Sequence, residues 1–368
     1  MKLSQIGELT LLEQIRKRFE KRSPDIVIGI GDDAALLKPF KKNILVTTDM
    51  MVEGVHFNMD FITPYQLGFK LVSVNVSDIY AMGGIPRFLL LGIAMNKNTA
   101  TETFDTFFDG VHEAMKHYGL SLVGGDISSA SKGMSLSATL IGYGEKCLKR
   151  SGAKKGDRIY VTGNLGDSAC GLELLKKVKR PIPLEDGAVI KQSAFSSQRS
   201  NPPLPPFSKG GHGGITNLKL RTITSILSKL GLSWNDVEPL LTRHLMPKAR
   251  DPRRFIRYAT SMIDISDGLL IDLSRLCDES KVGARIYTKN IPVSSELKKA
   301  ASCLGISPIR LALSGGEDYE LLFTAPRDKR VKAIYIGDIT ESERVIIDTS
   351  GKKKTFSVEG YQHFGIQR

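Results

Sequence analysis

Apolar residues recur at helical spacing near the start of the chain. Ile6, Leu9, Leu12, Ile15 and Phe19 predict one amphipathic helix over Leu3–Arg22. Short apolar runs at 26–30 and 44–48 read as strands. The stretch 64–82 is long and mostly apolar, which predicts a buried helix stopped by Gly83-Gly84 and Pro86. A strand over 88–94 follows, then a helix over 101–118 with Thr99 or Thr101 as its cap, then strands over 121–123 and 135–141. Strands and helices mix here without strict alternation, which favours an α+β module. A second module begins near 147–156, with strands over 158–162, 261–265, 319–324 and 333–336 and helices over 167–177 and 269–280. The pattern predicts a two-domain α+β / α/β chain, with an N-terminal domain over 1–146 and a C-terminal α/β domain over 147–368. The segment 193–217 is rich in proline and then glycine, so it reads as a flexible insertion, with a proline-rich docking motif as the alternative.

Composition narrows the classes. Of 368 residues, 41% are hydrophobic, enough for substantial cores. The densest apolar run, 88–95, falls far short of the roughly 18 residues needed to cross a bilayer. Glu8, Glu13 and Glu20 interrupt the N-terminus, so it does not read as a secretory signal, and a cytoplasmic protein is expected. Lys and Arg (52) exceed Asp and Glu (39), a net charge of +13 that fits an anionic partner. The basic clusters at 327–332 and 352–354 carry no interleaved aromatics, which disfavours nucleic acid and leaves nucleotides and phosphate esters. Cys147, Cys170, Cys277 and Cys303 are far apart, so zinc and dithiol chemistry find little support.

Candidate chemistry lies in a repeated motif, an apolar strand that ends in glycine and aspartate. It occurs as Gly29-Ile-Gly-Asp-Asp33, Val46-Thr-Thr-Asp49, Val123-Gly-Gly-Asp126 and Ile263-Asp-Ile-Ser-Asp267. Asp78 stands within the apolar helix, with Asn75 one turn before it. One such aspartate is ordinarily a turn or cap residue. Several converging on one cleft would repel one another unless a hard divalent cation neutralised them, and an all-oxygen set suits magnesium with phosphates. Gly163-Asn-Leu-Gly-Asp-Ser168 leads a strand into a helix, so it suits either an anion site or a helix cap by Asp167 and Ser168. The Walker GxxxxGK[ST] pattern, the protein-kinase HRD and DFG motifs and the GxSxG elbow are absent.

Several segments taken together resemble the thiamine-monophosphate kinases. They are 29–37, Thr47-Thr-Asp-Met-Met-Val-Glu-Gly-Val-His-Phe57, 74–84, Gly124-Gly-Asp126, Arg150–Asp157, Ile263–Leu269 and Leu313–Leu321. The likeness runs nearly end to end, except for the insertion. It implies a fold of the aminoimidazole ribonucleotide synthetase superfamily, in which N-terminal mixed sheets pair across a homodimer into a barrel. It implies transfer of phosphate from ATP to thiamine monophosphate, with several Mg2+ ions. The metal ligands it implies are Asp33, Thr47, Thr48, Asp49, Asp78, Asp126, Asp264 and Asp267, with Asp49, Asp78, Asp126 and Asp267 central to catalysis. The implied ATP contacts are Asp33, Gly125, Asp126, Arg150 and Ser266. Acceptor contacts fall on His56, Glu317 and Tyr361. Read without the resemblance, His56 beside Val55 and Phe57 is equally a packed core histidine, Glu317 a turn residue and Tyr361 C-terminal packing. The alternatives are another acceptor within the superfamily, or a non-catalytic magnesium-nucleotide regulator. A selenophosphate synthetase would need an early reactive cysteine, and the first here is Cys147.

Overall fold

A computed structural model describes residues 1–20, 23–30, 34–178, 182 and 225–356. Asp33, Tyr361 and the 193–217 segment lie outside the described residues.

The predicted first helix is broken at Gly7, whose φ of 83° no helix accommodates, into α1 (Leu3–Ile6) and α2 (Glu8–Phe19). Leu11, Ile15 and Phe19 form its buried face, whereas Leu9 is exposed. A two-stranded ribbon, β1 (Ile26–Ile28) with β2 (Leu36–Leu37), precedes the N-terminal sheet. That sheet holds β3 (Asn43–Val52), β4 (Ile85–Asn96), β5 (Ser121–Ala130) and β6 (Ser135–Gly144) in the order β3-β6-β4-β5, with only β4 and β5 parallel. Pro86 does not stop the preceding helix; it sits inside β4 at a register shift, where a missing N–H is tolerated.

Helix α3 (Pro64–Ala81) opens with a capping box from Thr63 and Gln66, and it is buried from Gln66 to Ser77. It packs on α4 (Thr101–Tyr118), on the sheet and on β8 (Ser261–Asp264). Two glycines permit that closeness. A Cβ at Gly68 would lie 2.1 Å from the Phe107 carbonyl oxygen, and one at Gly110 only 1.8 Å from that of Tyr65. Neither Thr99 nor Thr101 caps α4; its N-cap is Ala100, with no side-chain bond.

The second sheet has seven strands in the order β13-β12-β9-β11-β7-β10-β8 and is mixed, with β9 and β12 parallel. These are β7 (Arg158–Val161), β8, β9 (Gly283–Tyr287), β10 (Leu321–Ala325), β11 (Ile334–Thr340), β12 (Arg344–Ile347) and β13 (Lys353–Thr355). Around it run α5 (Asp167–Val178), α6 (Trp234–Leu245), α7 (Leu269–Ser280), α8 (Ser295–Leu304) and α9 (Pro308–Ser314). The chain is thus a mixed α/β fold of two domains with mixed sheets. One apolar cluster runs from Leu71 and Phe107 through Leu174 and Leu240 to Leu297, so α5, α6 and α8 share a core with α3 and α4. No helix among the described residues is long and apolar enough to cross a membrane.

Candidate active site

A cavity of about 1140 Å³ opens where α3, β3 and the end of β8 meet α5, α6 and the Gly315–Tyr319 segment. Asp49, Asp78, Asp264, Asp267, Arg150, Ser266, His56 and Glu317 all line it. Carboxylates more than 180 residues apart in sequence therefore share one wall.

Alternation in β3 sorts its side chains. Thr47 points to α3 and donates to Asp78 Oδ2 at 2.6 Å. Asp49 shares that face, and its N–H donates to Asn75 Oδ1 at 3.1 Å. Asn75 is fully buried and donates in turn to the Leu71 carbonyl, so it ties β3 to α3. From the same helix, Ser77 donates to Asp264 Oδ2 at 2.7 Å across the junction with β8. Asp272 organises the loop after β8: its Oδ2 accepts the N–H groups of Ser266, Asp267 and Gly268, and Arg275 bridges Asp267 to Asp272.

The electrostatics are those of a crowded acidic wall. Asp49 keeps a side open to solvent, yet desolvation at the cavity wall, then the charges of Asp78 and Asp267, push it up to about 6. Burial raises Asp78 against the opposing pull of Thr47 and Arg150. Asp264 is pushed well up, first by burial and then by Asp78. Among the described residues, no group of three His, Cys, Asp or Glu could hold a metal ion by itself. The donors are nonetheless hard oxygens that repel one another, which fits a magnesium ion whose remaining ligands come from phosphates and water.

Thr48 faces the other side of the sheet, donating to the Ala138 carbonyl and accepting from Thr139. Gly125 and Asp126 lie mid-strand in β5, at the opposite edge of the sheet from β3. Cross-strand register puts Asp126 level with Met50, on the Thr48 face, three strand spacings or ~14 Å from β3. The structure does not bring Asp126, Gly125 or Thr48 to the cavity within one chain. Gly125 also has a local reason to be glycine, since its φ is 155° and a Cβ would meet the Leu91 oxygen at 2.1 Å.

The Gly163–Ser168 turn is not an open anion site. Asp318 occupies it, accepting from the Gly166 and Ser168 N–H groups at 2.6 and 3.1 Å, while Asp167 pairs with Ser294. Burial pushes Asp318 up to about 7 against those bonds. Its neighbour Glu320, fully buried, is clasped by Arg243, Arg250 and Thr162. Glu317 alone of the three turns to the cavity, where it meets Lys70 and His244. His56 Nδ1 accepts the Val52 N–H at 3.0 Å, which leaves Nε2 to carry the proton of the neutral ring. Lys70, His244, Asn75 and Asp272 were not singled out from sequence for these contacts. For Lys70 the available signal was the only lysine in a mostly apolar helix.

Known proteins settle the family. Residues 31–144 match the AIR synthase related protein, N-terminal domain, and 208–349 match the AIR synthase related protein, C-terminal domain. The thiamine-monophosphate kinase of Aquifex aeolicus is 34% identical over 99% of this chain and all of its own length. The chain belongs to the thiamine-monophosphate kinases. The Escherichia coli (strain K12) member is 31% identical over 97% of this chain and 98% of its own. Among solved structures of the family, AaThiL complexed with AMPPCP and TMP superposes with a TM-score of 0.67 at 31% identity, covering 99% of each chain. The kinase from Stenotrophomonas maltophilia superposes at 0.68 with 29% identity, over 94% of this chain and 96% of that one. Hydrogenase maturation protein HypE in complex with ATP shares the fold, with a TM-score of 0.63 at 17% identity over 97% of each chain.

Proposed function

We infer that this chain transfers the γ-phosphoryl group of ATP to thiamine monophosphate, giving ADP and thiamine diphosphate. Full-length similarity to kinases of that name carries the reading, with a cavity whose acidic wall and organic pocket suit its two substrates. The acidic end holds Asp49, Asp78, Asp264 and Asp267, with Arg150 and Ser266 beside them. The same cavity is lined by His56 and Glu317 and by Phe57, Phe61, Leu172 and Leu245, an apolar and aromatic surface for a heterocyclic acceptor.

A terminal oxygen of the acceptor's phosphate forms the new bond to the γ-phosphorus as the bond to the β–γ bridging oxygen breaks, and that oxygen leaves with ADP. The attacking oxygen is already anionic near neutral pH, so the protein needs no strong general base; it positions and neutralises. Asp49, Asp78, Asp264 and Asp267, with Thr47, would hold magnesium, which offsets charge on the phosphates. Arg150 adds a fixed cation beside Asp78, and Ser266 contributes to the nucleotide end. Asp33 and Tyr361 keep their proposed roles as nucleotide and acceptor contacts.

We assign Thr48 and Asp126 to the same metal cluster through a homodimer. Among the described residues β3 and β5 are the two edges of the N-terminal sheet, and β3 exposes Ile44, Val46 and Met50. Sheets from two copies meeting along these edges into a barrel would cover those residues and bring one copy's Asp126 to the other's Thr48. We likewise take the division at 146/147 and a cytoplasmic setting as part of this reading.

The test is product formation from magnesium-ATP with and without thiamine monophosphate. Thiamine diphosphate in step with ADP, lost on chelation, is expected; bound ATP without thiamine diphosphate would refute the acceptor. Mixing inactive Asp49→Asn and Asp126→Asn subunits should regenerate up to about a quarter of wild-type activity, because one site in each mixed dimer is intact. No recovery despite exchange would refute the shared site.

A further inference from the structure

Glu317 is held from two sides by residues outside the set assigned above. Lys70 reaches up from α3, and its Nζ donates to Glu317 Oε1 at 2.8 Å. Its side chain is 1% exposed, against 30% for Glu317. From α6, His244 places Nδ1 3.3 Å from Glu317 Oε2 and 3.1 Å from Ser168 Oγ. Burial and the charge of Lys70 push His244 down to about 3, so it is a neutral ring and Lys70 is the charge partner. The backbone is fixed as well. Glu317 sits at φ 64°, a left-handed conformation that a non-glycine residue keeps only when its surroundings enforce it, and its N–H donates to the Ser266 carbonyl at 2.7 Å.

The Lys70 end of this cluster is displaced along α3 from Asp78. Lys70, Val74 and Asp78 recur every four residues on one face of α3, and all three line the cavity. Eight residues of helix put Lys70 ~12 Å along the axis from Asp78. Lys70 is buried, about two helical turns from Asp78, and its Nζ is spent on the Glu317 carboxylate at 2.8 Å, so it is placed to orient that carboxylate. It converts Glu317 from a mobile anion into an acceptor of fixed direction.

We propose that Lys70 is a positioning residue for the phosphate-accepting substrate, holding the Glu317 carboxylate toward its organic portion with His244 as a second support. This rests on the functional reading above, in which Glu317 faces thiamine monophosphate.

The experiment compares steady-state kinetics of wild type, Lys70→Met, Glu317→Gln and the double variant, varying each substrate in turn. Lys70→Met should lower kcat/KM for thiamine monophosphate about 10- to 100-fold, the loss expected for a charged hydrogen bond. The KM for ATP should stay within about twofold. The double variant should be no worse than Glu317→Gln, because Lys70 acts through that carboxylate. Losses that multiply, or an equal loss toward ATP, would overturn the proposal. Should Lys70→Met fail to fold, the double variant, which strands no buried charge, is compared with Glu317→Gln alone. Equality supports the proposal and a further loss of about tenfold overturns it. Wild type that makes no thiamine diphosphate would sink the functional reading and this proposal together; wild-type activity with the wrong kinetic split would sink the proposal alone.

Discussion

Replacing Gly110 by alanine pits two effects of opposite sign against each other. In an open helix interior the change stabilises by about 1 kcal/mol, because alanine has the higher helix propensity. Here the new methyl would lie 1.8 Å from the Tyr65 carbonyl oxygen, 2.7 Å from its carbon and 3.0 Å from the Phe69 nitrogen. All three are backbone atoms of α3, so no side chain can rotate away. A tolerable carbon–oxygen contact is about 3.3 Å, so α3 and α4 must separate by roughly 1.5 Å. Overpacking of this kind costs about 1–3 kcal/mol, and the upper end applies when rigid backbones meet. The clash therefore wins, and Gly110→Ala should lose about 2 kcal/mol net of propensity. Activity should fall further than stability alone explains. α3 carries Lys70, Asn75, Ser77 and Asp78, and a shift near 1 Å in such groups can cost about 100-fold in rate. Urea unfolding gives the stability and the coupled ADP assay gives the rate. A variant as stable as wild type would show that the helices do not meet this closely, and the account of how α3 is positioned would fall.

Asp49→Asn and Asp78→Asn should each reduce turnover by about 100-fold or more while the fold survives, since electrostatic stabilisation of the transferring group is the main catalytic resource; near-normal turnover at saturating magnesium would refute their role. For the metal-free chain, Asp49 titrates near 3.8 when unfolded and about 6 when folded. The folded state therefore binds more protons between those values, and its contribution to stability falls as pH rises across that window. Asp49→Asn should flatten this part of the stability–pH curve, and an unchanged slope in denaturation from pH 4 to 7 would refute the burial and repulsion ascribed to the wall. Magnesium must displace those protons, so its affinity, measured by calorimetry, should rise from pH 5 to pH 7. Glu320→Gln leaves Arg243 and Arg250 without their shared buried carboxylate and should cost about 3 kcal/mol by urea unfolding; a loss below about 1 kcal/mol would count against that network.

Much of this molecule was legible along the chain because the signals are local. The bounds of α7 match the run at 269–280, and α4 matches 101–118, since each is one amphipathic stretch with clear ends. Boundaries failed where a single backbone angle or a partner strand decides them. Gly7 splits the first helix, and β4 extends back through Pro86 because β6 pairs beside it. The elements α6, α8, α9, β2, β9, β12 and β13 were not read; the strands are too brief to show a period, whereas α6 and α8 are 12 and 10 residues long and their apolar spacing went unread. The likeness to a family named the aspartates, but spacing could not say which of them meet. That depends on α3 lying between β3 and β8, which is settled by Gly68, Gly110 and the Asn75 and Ser77 bonds. The Gly163–Ser168 turn is the converse case: its sequence suits an anion, and only the fold shows that the Asp318 carboxyl already fills it. Sequence determined the elements and the chemistry of the donors, because propensity and residue type act locally. Tertiary structure decided who faces whom, because Lys70 and Glu317 become partners only when chain segments 247 residues apart are packed together.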